Sequence, residues 1–596
     1  MEADDWVLGP AALKEVAVSL GYQAIAWPEL RLLASCYAED FREFSDFNDA
    51  AIKILEMDAS AWEGGISIPR ALSYRFISPH GEDLPYFISG IRNFLQKNPI
   101  VSLNLAGRGY FCELLLAASA GTAGTRVPVS PASIISALPL IALEECAKIY
   151  GDVKRALRHF SRRFVHISRR DLSSFRGGVI FGMGKERVYH YARPTMRALE
   201  KKGTKAIALQ PFFSVRLAPE VVNLEDLLAE FPLKRDYFSL HGKLARLWRA
   251  KRTLIQALTH EYEGVNIAKF HAAAMREIWF DEAAIAALTA RYIDRAISKI
   301  APVAFVFTDP LELPYISADT ARRLKIPAFY DQQIMDGYNS SATLVENHIR
   351  GMGDFYAALT PWFIDRWEAK GIAKRSSSLN AGSVLFERVF DEKSKQAAEK
   401  SVRQKLGLDP QKPIFLFLSR AVSFTLGWED KKWILRECEA AAKTCGAQMV
   451  IKGHPFEDRA LLEDQARRYC VGAKVVIGEV PLDLLCAAAD VVVGTPGSTA
   501  NLEVNFTRTP LAIGGSETAF AAFDMEGGRF AYQRYKSGVC VVTGGDLGQE
   551  IGRLHGDPVY REKWIAHGQK FAERVVGQLD GKANERLAEF ILKNIR

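Results

Sequence analysis

The sequence predicts an α/β protein built on two facing, doubly wound, Rossmann-like parallel sheets, preceded by a mixed accessory domain. Three observations predict it. At 596 residues the chain exceeds what one hydrophobic core supports, since domains hold on the order of 100 to 200 residues. From residue 176 to residue 545, short apolar β-rich runs alternate with helix-patterned stretches, the order that yields parallel sheets with helices on both faces. The composition, 48% hydrophobic, 25% charged and 11% aromatic, is that of a globular chain and excludes a disordered or fibrous one.

Residues 1–170 read as the accessory domain, with PIVSLNL (99–105) as a strand and ELLLAASAG (113–121) as a helix closed by Gly121. Residues 176–380 form the first sheet domain. There GGVIFGMG is a buried strand closing on glycines, RVYHYARPTMRALEKKG a helix stopped by Gly203, and TKAIALQP a second strand. IAPVAFVFTDP (300–310), the helix Ser317 to Leu324 and the strand IPAFYDQ make another such unit, and AALTPWFIDRWEAKGI leads out to residue 380.

Residues 381–545 form the second sheet domain, entered through the charged stretch DEKSKQAAEKSVRQKLGLDPQK (391–412), an exposed helix and turn. KPIFLFLS, AQMVIKGHP, AKVVIGEV, DVVVGTPGS and TPLAIGG are its strands, each separated from the next by a helix. Residues 546–596 carry apolar stripes and are expected to pack back over the first sheet domain.

The net charge of +7 is unevenly laid down. KRALRHFSRRFVHISRR (154–170) and KRDYFSLHGKLARLWRAKR (234–252) are dense in basic residues. In the second, Leu240, Leu244, Leu247 and Trp248 recur at helical spacing with Lys243, Arg246, Arg249, Lys251 and Arg252 between them. That pattern fits either a surface helix docked on the core or a peripheral contact with an anionic membrane surface. No run reaches the roughly 18 apolar residues of a spanning helix, and MEADDWVLGP lacks the basic start of a secretory signal, so a cytoplasmic location is expected. The eight cysteines lack CxxC or metal spacing, which argues against disulfides and structural zinc.

In open α/β sheets ligands bind beyond the carboxyl ends of the strands. Three such ends stand out in the second sheet. IKGHPFED places Lys452, Gly453, His454 and Pro455 after a strand, with Gly453 expected to let the backbone approach a ligand and Pro455 to open the next helix and leave its positive end free for a phosphate. ADVVVGTPGSTANLEVNF stops at Gly494 and turns into a helix expected to hold Ser498 and Thr499 in its first turn, with Glu503 further along, in reach of a ribose diol. FLSRAVSFTLGWED offers Arg420, whose guanidinium suits a diphosphate or a sugar carboxylate. Taken singly, His-Pro is equally a turn and Ser-Thr equally a helix cap.

The order of apolar strand, K-x-H-P, helix, strand, "aaDvvvg", S-T-x-x-x-E and "tPla" resembles the C-terminal half of the capsule polysaccharide biosynthesis glycosyltransferases. These include β-Kdo transferases and are similar in both motifs to bacterial sialyltransferases and CDP-glycerol polyol-phosphate transferases. The resemblance implies a GT-B fold and a metal-independent transferase, with the cytidine nucleotide of a CMP- or CDP-linked donor held at His454, Pro455, Ser498, Thr499 and Glu503. It implies no cofactor beyond that nucleotide-sugar co-substrate, a Kdo- or sialic-acid-like sugar, and a surface polysaccharide or glycolipid acceptor. Nucleic acid is not an expected partner. Gly453 stands where a second Pro often occurs in the motif, and Pro-Gly-Ser-Thr replaces Asp-Ser-Ser.

The first sheet is then expected to present the acceptor. Asp309, at the end of AFVFTDP, is the leading candidate for general base or nucleophile, with Glu312, Asp331 and Asp336 as rivals; a turn cap before Pro310 is the alternative role for Asp309. GMGKER brings Gly182, Gly184 and Lys185 to the acceptor side, and it lacks the spacing of a dinucleotide fingerprint. No DxD carboxylate pair ends a strand, so no metal site is expected. A UDP-GlcNAc 2-epimerase type of sugar-nucleotide epimerase and a non-catalytic polysaccharide-assembly scaffold are the competing readings.

Overall fold

The computed structural model describes residues 6–9, 23–26, 41–72, 76, 92, 175–183, 186–210, 221–227, 233–258, 261–262, 265–266, 268–308, 312–332, 349–382, 390–421, 426–455, 457–498, 500–521, 537–576 and 580–595. Described residues up to 328, without 190–203, form one compact unit; 190–203 and those from 329 onward form the other. The expected strand at 99–105, the helix at 113–121 and the basic stretch at 154–170 lie outside the described residues.

In the N-terminal region, helix α1 (Phe41–Glu56) leads to a short hairpin of Trp62–Glu63 and Ile66–Ser67. Glu56 holds Arg70 through two hydrogen bonds, of 3.1 and 3.0 Å.

The first sheet comprises β1 (Val179–Gly182), β2 (Ala206–Gln210), β3 (Val221–Asn223), β4 (Ala304–Phe307), β5 (Ala328–Asp331), β6 (Phe355–Ala358) and β7 (Ser378–Asn380). Its order is β7-β6-β5-β4-β1-β2-β3. Pairings along it are parallel, with Phe307 beside Gly182 and Asp331 beside Ala357. β1, β2, β4 and β5 are buried at every position, as strands covered on both faces must be.

Between these strands run α2 (Glu186–Lys201), α3 (Leu233–Gln256), α4 (Ala268–Ile300), α5 (Glu312–Arg323) and α6 (Pro361–Ala369). α3 packs along the 33-residue α4, burying Leu240, Leu244, Leu247 and Trp248, and the Trp279 indole donates to the Leu244 carbonyl at 3.0 Å. Arg246, Arg249 and Arg252 remain exposed, whereas Lys243 and Arg291 both pair with Glu63 of the hairpin. α5 begins at Glu312, five residues before the start expected from the sequence, because ELPYI already places Leu313 and Ile316 on the buried face.

The second sheet follows α7 (Glu392–Leu406), which Asp391 caps and Gly407 ends. Its strands are β8 (Ile414–Leu418), β9 (Gln448–Lys452), β10 (Lys474–Val476), β11 (Val491–Gly494), β12 (Leu511–Gly515) and β13 (Val539–Val542), in the order β10-β9-β8-β11-β12-β13, all parallel. The intervening helices are α8 (Trp428–Cys445), α9 (Arg459–Tyr469), α10 (Leu482–Ala488) and α11 (Ala500–Phe506).

Alternation along the strands feeds two cores. Phe415, Phe417, Ile451 and Val493 pack with Ile434 and Leu435 of α8 and Leu462 of α9. Leu416, Leu418, Val450 and Val492 pack on the other face with Val402 of α7, Leu485 of α10 and Val504 of α11.

Three further helices close the chain: α12 (Leu547–Gly556), α13 (Pro558–Val576) and α14 (Ala583–Asn594). α14 reaches elements of the first sheet. Thr195 of α2 hydrogen-bonds Asn584 at 2.6 Å, Arg586 donates to the Ala381 carbonyl, and the Phe590 ring lies edge-on to Phe329 and Phe355. The molecule therefore has an α/β fold with two doubly wound, Rossmann-like parallel sheets.

Candidate functional site

Numbered within the second sheet, the strand order is 3-2-1-4-5-6, so β8 and β11 are neighbours whose following helices leave to opposite faces. That reversal opens a crevice beyond their carboxyl ends, the place where doubly wound sheets take ligands.

Two predicted groups meet there. Arg420 follows β8 by two residues and donates through Nη1 to the Pro496 carbonyl of the turn after β11, at 2.9 Å. In that turn Ser498 is buried, and Asn501 Nδ2 donates to the Thr495 carbonyl at 2.8 Å. Gly494 has no room for a side chain, since an added Cβ would lie 2.1 Å from Asn501 Oδ1. Thr495 Oγ1 and Asn501 Oδ1, both fully buried, have no hydrogen-bond partner among the described residues. α11 starts at Ala500, later than expected, so Ser498 belongs to the turn rather than to the helix's first turn; Thr499 lies outside the described residues. The tight turn around Gly497, at φ +70°, delays the helix.

The end of β9 supplies the third group, with two corrections. Pro455 does not open a helix: α9 begins at Arg459, and the Asp458 side chain caps it by accepting from the Leu461 amide. The free helix end expected beside His454 is therefore already satisfied. Gly453 likewise serves packing rather than ligand approach, because a Cβ there would sit 2.7 Å from Leu462 Cδ2 and 3.0 Å from Ile477 Cγ1. His454 and Pro455 are exposed. Lys452 turns inward and donates to the carbonyls of Gly453 and Ile477, and burial lowers its ammonium pKa.

Glu503 keeps partial exposure as a residue, yet its carboxyl is desolvated. Burial first and the Asp483 carboxylate second push it up to about 8, against the opposing pull of Lys452.

Beneath these groups lies a network the motif reading missed. Glu457 Oε1 accepts from Lys431 Nζ at 2.5 Å and from Ser419 Oγ at 2.8 Å, and its Oε2 accepts from the His454 amide at 2.6 Å. Lys431 also donates to the Arg420 carbonyl at 3.2 Å. Its sequence signal was a carboxylate three residues beyond His454, inside the quoted IKGHPFED.

The first sheet has the same reversal, between β1 and β4. Gly182 ends β1 there, opposite Phe307, and the buried Thr308 Oγ1 that follows β4 has no hydrogen-bond partner among the described residues. Asp309, Gly184, Lys185 and Asp336 lie outside the described residues. Glu312 is the first residue of α5, and Asp331 is buried at the end of β5. Among the described residues no group of three His, Cys, Asp or Glu side chains could hold a metal ion, and no helix is long and apolar enough to cross a membrane.

No protein-family model matches the chain, and no curated protein matches it. Solved structures do. The chain is similar to UDP-GlcNAc 2-epimerase from Neisseria meningitidis bound to UDP-GlcNAc, at 11% identity and TM-score 0.43, over 70% of this chain and 100% of that one. It is also similar to the wall teichoic acid polymerase TagF, at 11% identity and TM-score 0.43, over 76% of this chain and 98% of that one. A third is Anabaena HepE in complex with UDP-glucose, at 12% identity and TM-score 0.41, over 70% of this chain and 99% of that one.

Proposed function

We propose that the chain is a metal-independent glycosyltransferase that takes a sugar from a nucleotide-activated donor, CMP-linked and Kdo- or sialic-acid-like, to a polysaccharide or glycolipid acceptor. The observation that carries this reading is the meeting of Arg420 with the Thr495–Ser498 turn at the switch point of the second sheet, with the Lys452–His454 end on the neighbouring strand. In this reading the guanidinium, hydroxyls and backbone amides meet the donor phosphate, and Glu503 meets the ribose.

The test is a thermal-shift panel with CMP, CDP, UDP, GDP and ADP on the wild type, His454→Ala and Ser498→Ala. A ligand at a hundred times its dissociation constant adds about 2.7 kcal/mol. CMP is expected to give the largest shift, and each variant, its CMP binding weakened by roughly 1.5 to 3 kcal/mol through a missing charge-assisted hydrogen bond, to lose about half of it or more. Wild-type response in both variants would remove the donor site from this face. Products separate the neighbouring chemistries: transfer leaves free nucleotide and a glycosylated acceptor, whereas an epimerase returns an isomerised nucleotide sugar.

The base or nucleophile in this proposal is Asp309. Asp309→Asn is expected to lower turnover by about 10² to 10⁴ with nucleotide affinity retained, because the strand that precedes it in sequence, β4, belongs to the other sheet. Near wild-type turnover would transfer the role to Glu312, Asp331 or Asp336.

A further inference from the structure

We propose that Glu457 is the positioning residue of the switch-point crevice, setting Arg420 and the Thr495–Ser498 turn in place through Lys431. The inference rests on the donor-site reading for its consequence and on geometry alone for its mechanism.

Side-chain exposures of Lys431 and Glu457 are 3% and 4%, so this ion pair is withdrawn from water. Both carboxylate oxygens are engaged, by donors from three separate places: Ser419 after β8, Lys431 on α8, and the His454 amide after β9. From Lys431 the chain of contacts continues to the Arg420 carbonyl at 3.2 Å, and from the Arg420 guanidinium to the Pro496 carbonyl at 2.9 Å. One continuous polar path thus joins the ends of β9, β8 and β11, which are consecutive in the sheet.

A buried ion pair is a poor stabiliser, because desolvation offsets most of the attraction and a well-packed apolar pair often serves as well. What an apolar pair cannot do is accept from Ser419 and the His454 amide while donating to the Arg420 carbonyl. Geometry, rather than stability, is what these two residues supply.

The test exploits that difference. Lys431→Met with Glu457→Met removes both charges together, and Glu457→Gln, nearly isosteric, serves as the second variant should the double one fail to fold. Each is compared with the wild type by thermal unfolding, by CMP titration, and by hydrogen exchange at the Ser498 and Asn501 amides. These amides donate to the Thr495 and Ser498 carbonyls and not to either substituted residue, so their exchange reports on the turn itself. The expected result for the double variant is a melting midpoint close to wild type, exchange at Ser498 and Asn501 at least tenfold faster, and CMP affinity at least tenfold weaker. For Glu457→Gln the exchange and affinity changes have the same direction.

Unchanged exchange at Ser498 and Asn501 in the folded variants overturns the positioning role, whatever happens to nucleotide binding. Faster exchange in a protein whose wild type answers to no nucleotide keeps the positioning role and overturns the donor-site reading instead.

Discussion

Glu503 stores a proton that the unfolded chain would release. An ordinary glutamate titrates near 4.5, whereas burial and Asp483 raise this one to about 8. Between those values the native state binds the extra proton, so this group's contribution is fully present below pH 4.5, falls as pH rises, and is gone above about 8. Glu503→Gln is neutral throughout and should lack that slope. Urea unfolding at pH 5, 6.5 and 8.5 is expected to show the variant gaining on the wild type as pH rises, and parallel pH dependences would reject the assignment. The placement of His454 and Ser498 beyond strand ends was legible from the sequence, because a polar residue after an apolar β-rich run marks such an end. Glu457 and Lys431 were not, since their importance comes from being brought together across 26 residues, which no periodicity records.

At the scale of elements, the second sheet was legible nearly strand by strand, because IFLFL, QMVIK and VVVG are short apolar runs bounded by glycine, proline or charge. Helix starts were less so. α9 begins four residues after Pro455 because Asp458 caps it better than the motif's proline could open it, and α5 begins early because its buried face does. α3 divides as its pattern foretold, leucines and Trp248 inward, Arg246, Arg249 and Arg252 outward. The apolar face is satisfied by docking on α4 and α1, so any contact with an anionic bilayer must come from the outward arginines. Each basic group near such a surface contributes about 1 kcal/mol. Replacing all three with Gln is therefore expected to lower binding to phosphatidylglycerol vesicles by roughly 10²-fold in a sedimentation assay, with the melting temperature held. Equal sedimentation of variant and wild type would leave α3 as a surface helix only.

Across the whole molecule, the last helix closes on elements of the first sheet that lie far from it in sequence. α14 joins residues nearly 400 positions apart: its Asn584 meets Thr195 in a buried hydrogen bond 389 residues distant, and Lys202 pairs with Glu589 at the surface. The surface pair contributes little, since exposed ion pairs are typically worth 0 to 1 kcal/mol. The apolar face does more. Leu587 and Ile591 are fully buried, and Phe590 lies edge-on to Phe329 and Phe355 of β5 and β6. Which residues meet in such long-range closure is invisible to local pattern, although the apolar stripes of the last helices led to the expectation that they pack back over the first sheet domain. If α14 is an integral part of the second compact unit, Leu587→Ala leaves a cavity there and should cost about 2 to 5 kcal/mol. The loss should appear in the unfolding of that entire unit, as a lower urea midpoint followed both by tryptophan fluorescence and by far-ultraviolet circular dichroism. Lys202→Ala, which removes only the surface pair, should leave the midpoint within error. Were Leu587→Ala to leave both probes unmoved while Lys202→Ala shifted them, the helix would be held by charge at its rim and not by its buried face.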